Sequence, residues 1–249
     1  MVNSTSRPST PIKPTIAAGI NAEIDNMSEV RKFDEGQLQA LKMVHAGSKN
    51  RDLLKAFREL RTRLSKKNKG KNFVCLVTSV NKGGGGSFVA RNIAAAVTMD
   101  KTKTALLVDS NLYAPSADKL LHKKPVLGLT DFLDNNRLTV AHIVKPSGIP
   151  RLRVITVGNN CDGGTEKIIS ERMKVFVQEV KERYSDRMVI IDGPSVGEYD
   201  AESRILADLC DFVVLVVPDN AVTEVEINEA ITSIGKEKIA GVVLNHVLV

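Results

Sequence analysis

The sequence predicts a doubly wound α/β domain on a mostly parallel sheet, with a flexible N-terminal extension. Three observations carry that prediction. Six apolar runs rich in Val and Ile recur from residue 73 onward. Helical stretches separate them, and strand–helix alternation of this kind builds a sheet covered on both faces. A glycine run follows the first apolar run and opens a helix. With 249 residues, 43% of them hydrophobic, the chain can bury one substantial core.

Residues 1–15, rich in Ser, Thr and Pro, read as disordered. Residues 16–50 are polar and mixed, with one short helix expected at 37–45. The extension is therefore placed at 1–50 and the domain at 51–249. In 51–64, Leu53, Leu54, Phe57, Leu60 and Leu64 fall at helical spacing and predict an amphipathic helix. Lys66, Lys67, Lys69 and Lys71 follow as a basic hinge. Strands are expected at 73–79, 104–109, 152–158, 187–193, 211–217 and 239–245. Helices are expected at 87–99, 171–184, 201–209 and 222–234.

The net charge is +6, and it is unevenly placed. Residues 1–71 hold 15 basic and 7 acidic side chains, whereas residues 72–249 hold 20 and 22. The surplus belongs to the arm and first helix, not to the core. With aromatics at 4% and no Trp, a base-stacking nucleic-acid surface is not expected. Cys75, Cys161 and Cys210 show no metal or redox spacing and suit a reducing cytoplasm. His45, His122, His142 and His246 are scattered. Ser195 lies in no nucleophile elbow. No apolar run approaches membrane-spanning length, and the N-terminus lacks the apolar stretch of a signal peptide.

The stretch VTSVNKGGGGSFVARNIAAAV, residues 77–97, carries the most chemistry. A strand, a glycine loop and a helix N-terminus together bind phosphate, because glycines let backbone N–H groups converge and the helix dipole favours an anion. Gly83, Gly84, Gly85 and Gly86 form the loop, and Ser87 stands where a P-loop places its Mg²⁺-binding hydroxyl. Gly86 occupies the place of the P-loop lysine, which normally reaches the terminal phosphates. Lys82 is the cation nearest in sequence that could replace it. Asp109 and Asp192 end two of the strands, where carboxylates flank the ligand crevice of open α/β sheets.

On these residues the sequence resembles the bacterial tyrosine kinases of polysaccharide export, within the P-loop NTPases, and its branch of exosortase-associated autokinases. The likeness runs over residues 51–245 through LLKAFRELRTRL, VTSVNKGGGGS, LLVDSNLYAPS, GLTDFL, SERM, VIIDGPS and GVVLN. It implies ATP or ADP with Mg²⁺, held by Lys82, Gly83–Gly86 and Ser87, with Ser87, Asp109 and Asp192 at the metal and Asp109 and Asp192 as the catalytic carboxylates. The departures are as specific as the matches. Gly86 and Phe88 replace the lysine and a small hydroxyl residue of the first motif. Asn111 and Tyr113 replace an acid and an arginine of the second. Lys55 stands for the glutamate of a helix motif that packs subunits through Arg58 and Arg61. The family's tyrosine tail has no counterpart among Tyr113, Tyr184 and Tyr199.

The resemblance therefore implies a degenerate, kinase-like protein that regulates or scaffolds exopolysaccharide synthesis from the cytoplasm. Its partners would be a membrane co-polymerase or chain-length protein, an active kinase paralogue and further copies of itself through Arg58 and Arg61, with no nucleic acid. It would sit at the inner membrane through its partner. Two alternatives stay open: an active autokinase using Lys82, and a nucleotide-free interaction module.

Overall fold

The computed structural model describes residues 32–123, 126–183, 187–219 and 221–245. Expectations for residues 1–31, for Tyr184 and for His246 fall outside them. The doubly wound architecture is present. Seven strands lie in the order β3-β4-β2-β5-β1-β6-β7, all parallel to their neighbours except the short β3. They are β1 (Val74–Ser79), β2 (Thr104–Asp109), β3 (Lys145–Pro146), β4 (Leu152–Ile155), β5 (Arg187–Asp192), β6 (Phe212–Pro218) and β7 (Ile239–Asn245).

Every residue of β1, β2, β5 and β6 is buried, which is why their sequences read as unbroken apolar runs. Side chains alternate between two cores. Val74 and Leu76 join Phe132, Phe176 and Leu206 on one face, and Cys75 and Val77 join Leu54, Phe57 and Ile93 on the other. The second core is closed by α2 (Arg51–Lys67) and α3 (Gly86–Thr98). The first is covered by α4 (Leu129–Asp134), α5 (Val140–Ile143), α6 (Gly164–Ile169), α7 (Glu171–Glu182), α8 (Asp200–Leu209) and α9 (Glu224–Ile234). Among the described residues, no helix is long and apolar enough to cross a membrane.

Two expectations need correction. The segment read as flexible up to residue 50 is packed from Phe33 onward. It forms α1 (Glu35–Ala40), capped by Asp34, and it buries Met43 and Val44. The reversal comes at Lys42, whose φ of 54° ends the helix well short of residue 45. Asn92, buried in α3, explains the docking: it accepts from Val44 N at 2.7 Å and donates to Lys42 O and Phe88 O. A side chain that satisfies three backbone groups overrides the weak local pattern.

The basic hinge is likewise a locked turn. Lys69 adopts a φ of 52°, Gly70 N returns to Ser65 O at 2.9 Å, and Asn68 Nδ2 bonds Asn72 O. This left-handed ending satisfies carbonyls that a helix C-terminus leaves open.

Candidate phosphate site

β1 ends at Ser79, and the next residues form a compact cradle. Ser79 Oγ donates to Asn81 O at 2.8 Å, and Gly84 N donates to the same carbonyl at 3.2 Å. Gly83 and Gly85 take φ of 79° and 92°, values that glycine alone adopts without strain. Gly85 is also the residue before α3, so the unpaired N–H groups of the helix start face the loop.

A cavity of about 200 Å³ opens here. Lys82, Gly83, Gly85, Gly86 and Ser87 line it from one side, and Asn111, Tyr113, Ser195 and Tyr199 from the other. The fold thus brings together five of the six loop residues named from sequence. The sixth, Gly84, turns its carbonyl outward to Asn245 Nδ2 at 3.2 Å.

The two aspartates lie deeper, fully buried and paired in register on adjacent parallel strands. Their environments differ. Asp109 Oδ2 accepts from Ser116 N at 2.7 Å and Ala117 N at 2.8 Å, and Oδ1 accepts from Asn111 N at 3.2 Å. Its carboxylate anchors the loop after β2. Burial still wins over these bonds and pushes its pKa up from 3.8 to about 6. Neither oxygen of Asp192 has a partner at full hydrogen-bond geometry; the Ser87 and Ser116 hydroxyls are the donors beside it. Burial, then the neighbouring Asp109, hold its pKa well above the usual carboxylate range, while Ser87, Arg91 and Ser116 act in the opposite direction.

A buried carboxylate with no partner at full hydrogen-bond geometry, beside a loop hydroxyl, is what a divalent cation would satisfy. Ser87 and Asp192 therefore fit a Mg²⁺ ion, which when bound neutralises phosphate charge and orients it. Among the described residues, no group of three or more His, Cys, Asp or Glu forms a separate metal cluster.

Three features of the site were not named as site features from sequence. Tyr113 and Tyr199 stack at 3.7 Å with their rings 7° from parallel, walling the cavity. Glu202 fixes the pair, accepting from Tyr113 Oη at 2.7 Å and from Thr165 Oγ1 at 2.6 Å. Glu198 accepts from Lys82 N at 3.1 Å and from the Ser195 hydroxyl, which puts a carboxylate against the loop. Except for Ser195 and Glu198, these partners lie far from one another in sequence, and no motif spacing announces them.

Arg61 and Arg58 diverge. Arg61 donates to Ala96 O at 3.2 Å within its own chain, while Arg58 is exposed. Cys75 and Cys210 are buried and Cys161 is exposed.

No family model matches the chain. Similar proteins are nevertheless found. The tyrosine-protein kinase Wzc of Salmonella typhi is 27% identical over 174 residues, covering 70% of this chain and 23% of Wzc. The tyrosine-protein kinase YwqD of Bacillus subtilis is 28% identical over 172 residues, 68% of this chain and 70% of YwqD. The chain is similar to bacterial tyrosine kinases. In structure, the kinase domain of the Escherichia coli tyrosine kinase ETK superposes with a TM-score of 0.70 at 21% identity, over 78% of this chain and 75% of that one. This confirms the P-loop NTPase-like fold. The chain spans about a quarter of the length of the Wzc relative it matches.

The loop geometry allows a direct test. A Cβ at Gly85 would lie 2.1 Å from Asn245 Nδ2, whereas one at Gly83 would meet nothing within 4 Å. Both glycines have positive φ, so alanine strains the backbone at each by about 1 kcal/mol or more. Gly85→Ala must also break the Asn245 bond. Thermal melts are expected to rank Gly85→Ala clearly below Gly83→Ala; equal losses would remove Asn245 from the loop's support.

Proposed function

We propose that the chain is a nucleotide-responsive, kinase-like module of polysaccharide synthesis and export that regulates or scaffolds but does not transfer phosphate efficiently. The observation that carries this reading is the charge of the cradle. Gly86 supplies no cation where the terminal phosphates would lie, and among the described residues Lys82 is the only lysine or arginine that lines the cavity. Against it stand Glu198 at the loop and two buried aspartates behind. Phosphate transfer is mostly positioning plus electrostatic stabilisation, so a cradle poor in positive charge can bind through backbone N–H groups yet catalyse poorly. Ser87 and Asp192 would hold Mg²⁺, and Asp109 would keep the adjoining loop in place. If any transfer occurs, Asp109 is the carboxylate best placed by sequence as base.

In this reading the protein works in the cytoplasm beside a membrane co-polymerase or chain-length protein, with an active paralogue supplying phosphotransfer. The relatives named above are tyrosine kinases, which supports that setting. Calorimetry with Mg²⁺-ADP and Mg²⁺-ATP, followed by turnover assays, tests it: heat of binding without turnover is expected. No heat at millimolar nucleotide would leave a purely structural module.

A second reading is favoured by one observation, the presence of Lys82 on the cavity wall. If Lys82 replaces the missing lysine, purified protein turns ATP over, and Lys82→Ala abolishes that turnover.

A further inference from the structure

The phosphate cavity lies at the C-terminal ends of the strands. The opposite end of the sheet carries a second polar cavity, of about 250 Å³. Arg61, Thr62, Ser65 and Lys66 from α2 line it, with Asp100 and Lys103 from the turn before β2. Lys103 Nζ donates to Gly70 O at 3.2 Å and so ties that turn to the end of α2. Burial alone would raise the Asp100 pKa, but the amide and hydroxyl of Thr102 with the charges of Arg61 and Lys103 outweigh it and hold Asp100 ionised and low. One carboxylate thus faces three cations.

Lys66 lines this cavity, Lys67, Lys69 and Lys71 follow it in the ending of α2, and Lys101 lies in the turn with Asp100 and Lys103; all five are exposed. None of the five forms an ion pair among the described residues. Their positions are not those of a loose tether. The left-handed ending of α2 fixes the turn that carries Lys69 and Lys71. A backbone already fixed has less freedom to lose when an anion meets these lysines.

We propose that this face binds directly to the surface of an anionic phospholipid bilayer. A lipid phosphate would enter the cavity among Arg61, Lys66 and Lys103, and the outer lysines would lie over neighbouring headgroups. Exposed lysines on both segments that border one cavity suit a surface of negative charge; a single soluble anion would engage the cavity alone. Each basic side chain near such a surface adds attraction that salt screens. The orientation leaves the phosphate cavity, at the other end of the strands, facing away from the bilayer. The inference does not depend on nucleotide binding.

Co-sedimentation of the full chain with vesicles tests it. One set is phosphatidylcholine containing phosphatidylglycerol as a third of its lipid; the other is phosphatidylcholine alone. Binding to the anionic set in low salt, its loss in high salt, and none to the neutral set are expected. The variant carrying Lys66→Gln, Lys67→Gln, Lys69→Gln and Lys71→Gln should bind about tenfold more weakly or worse, with an unchanged melting temperature. Wild-type binding retained by that variant, or equal binding to both vesicle types, overturns the proposal. So does complete displacement by millimolar inorganic phosphate, which would mark a site for a free anion.

Discussion

Asp192→Asn is expected to raise the melting temperature of the nucleotide-free protein at about pH 8 and to leave it almost unchanged near pH 4. Asp192 is fully buried and the adjacent Asp109 adds like charge, and together these outweigh the Ser87 and Ser116 hydroxyls and the charge of Arg91. A buried charge that is incompletely paired costs several kcal/mol unless it takes up a proton. The sign follows from the raised pKa. The folded state holds the proton more tightly than the unfolded chain, so this group favours folding at low pH. That contribution fades as the pH rises from the ordinary value of 3.8 toward the folded value.

Asparagine has the same shape and no charge, and its amide can donate toward the Ser87 and Ser116 hydroxyls. A gain of about 2 kcal/mol at the higher pH would appear as roughly 4–8 °C for a chain of this size. The same substitution should remove the extra stabilisation that Mg²⁺ with nucleotide gives the wild type, because it removes the cation's carboxylate. Thermal melts across pH, with and without Mg²⁺-ADP, measure both effects. A variant less stable than wild type at the higher pH would show that Asp192 is paired in solution.

Gly86→Lys is expected to tighten ADP and ATP binding by about 10- to 100-fold, the equivalent of one charge-assisted hydrogen bond to phosphate. The position can accept a side chain. Gly86 opens α3 without a positive φ, and a Cβ there would lie 3.4 Å from Ser79 N and 3.6 Å from Ser79 Cβ, in ordinary contact. Lysine is also a better helix former than glycine, by roughly 0.5–1 kcal/mol, so the fold should not suffer. Turnover should rise much less than affinity, since Asn111 and Tyr113 still line the far wall where the family has an acid and an arginine. Calorimetry on wild type and variant decides. An unchanged dissociation constant would mean that nucleotide phosphates do not lie over Gly86.

These two positions also show how much was legible in the sequence. The parallel core was readable because β1, β2, β5 and β6 are buried on both faces, so burial wrote itself as unbroken apolar runs. The glycine loop was readable because its chemistry is local and its spacing fixed. β3 was missed: it has two residues, one of them Pro146, and no pattern to detect. The short helices over 129–143 were missed because four to six residues hold too few turns for periodicity. The lack of a partner at full hydrogen-bond geometry at Asp192 and the Tyr113–Tyr199 stack are products of tertiary packing, as is the inward turn of Arg61. A motif can place a carboxylate at a strand end, but only the folded neighbourhood shows whether anything answers its charge.

The Asn92 contact has a mechanical consequence. One side chain grips the backbone on both sides of Lys42–Val44 and also the carbonyl of Phe88, the residue after Ser87. The packed N-terminal segment and the first turn of the helix that frames the phosphate cradle are therefore held by one and the same side chain.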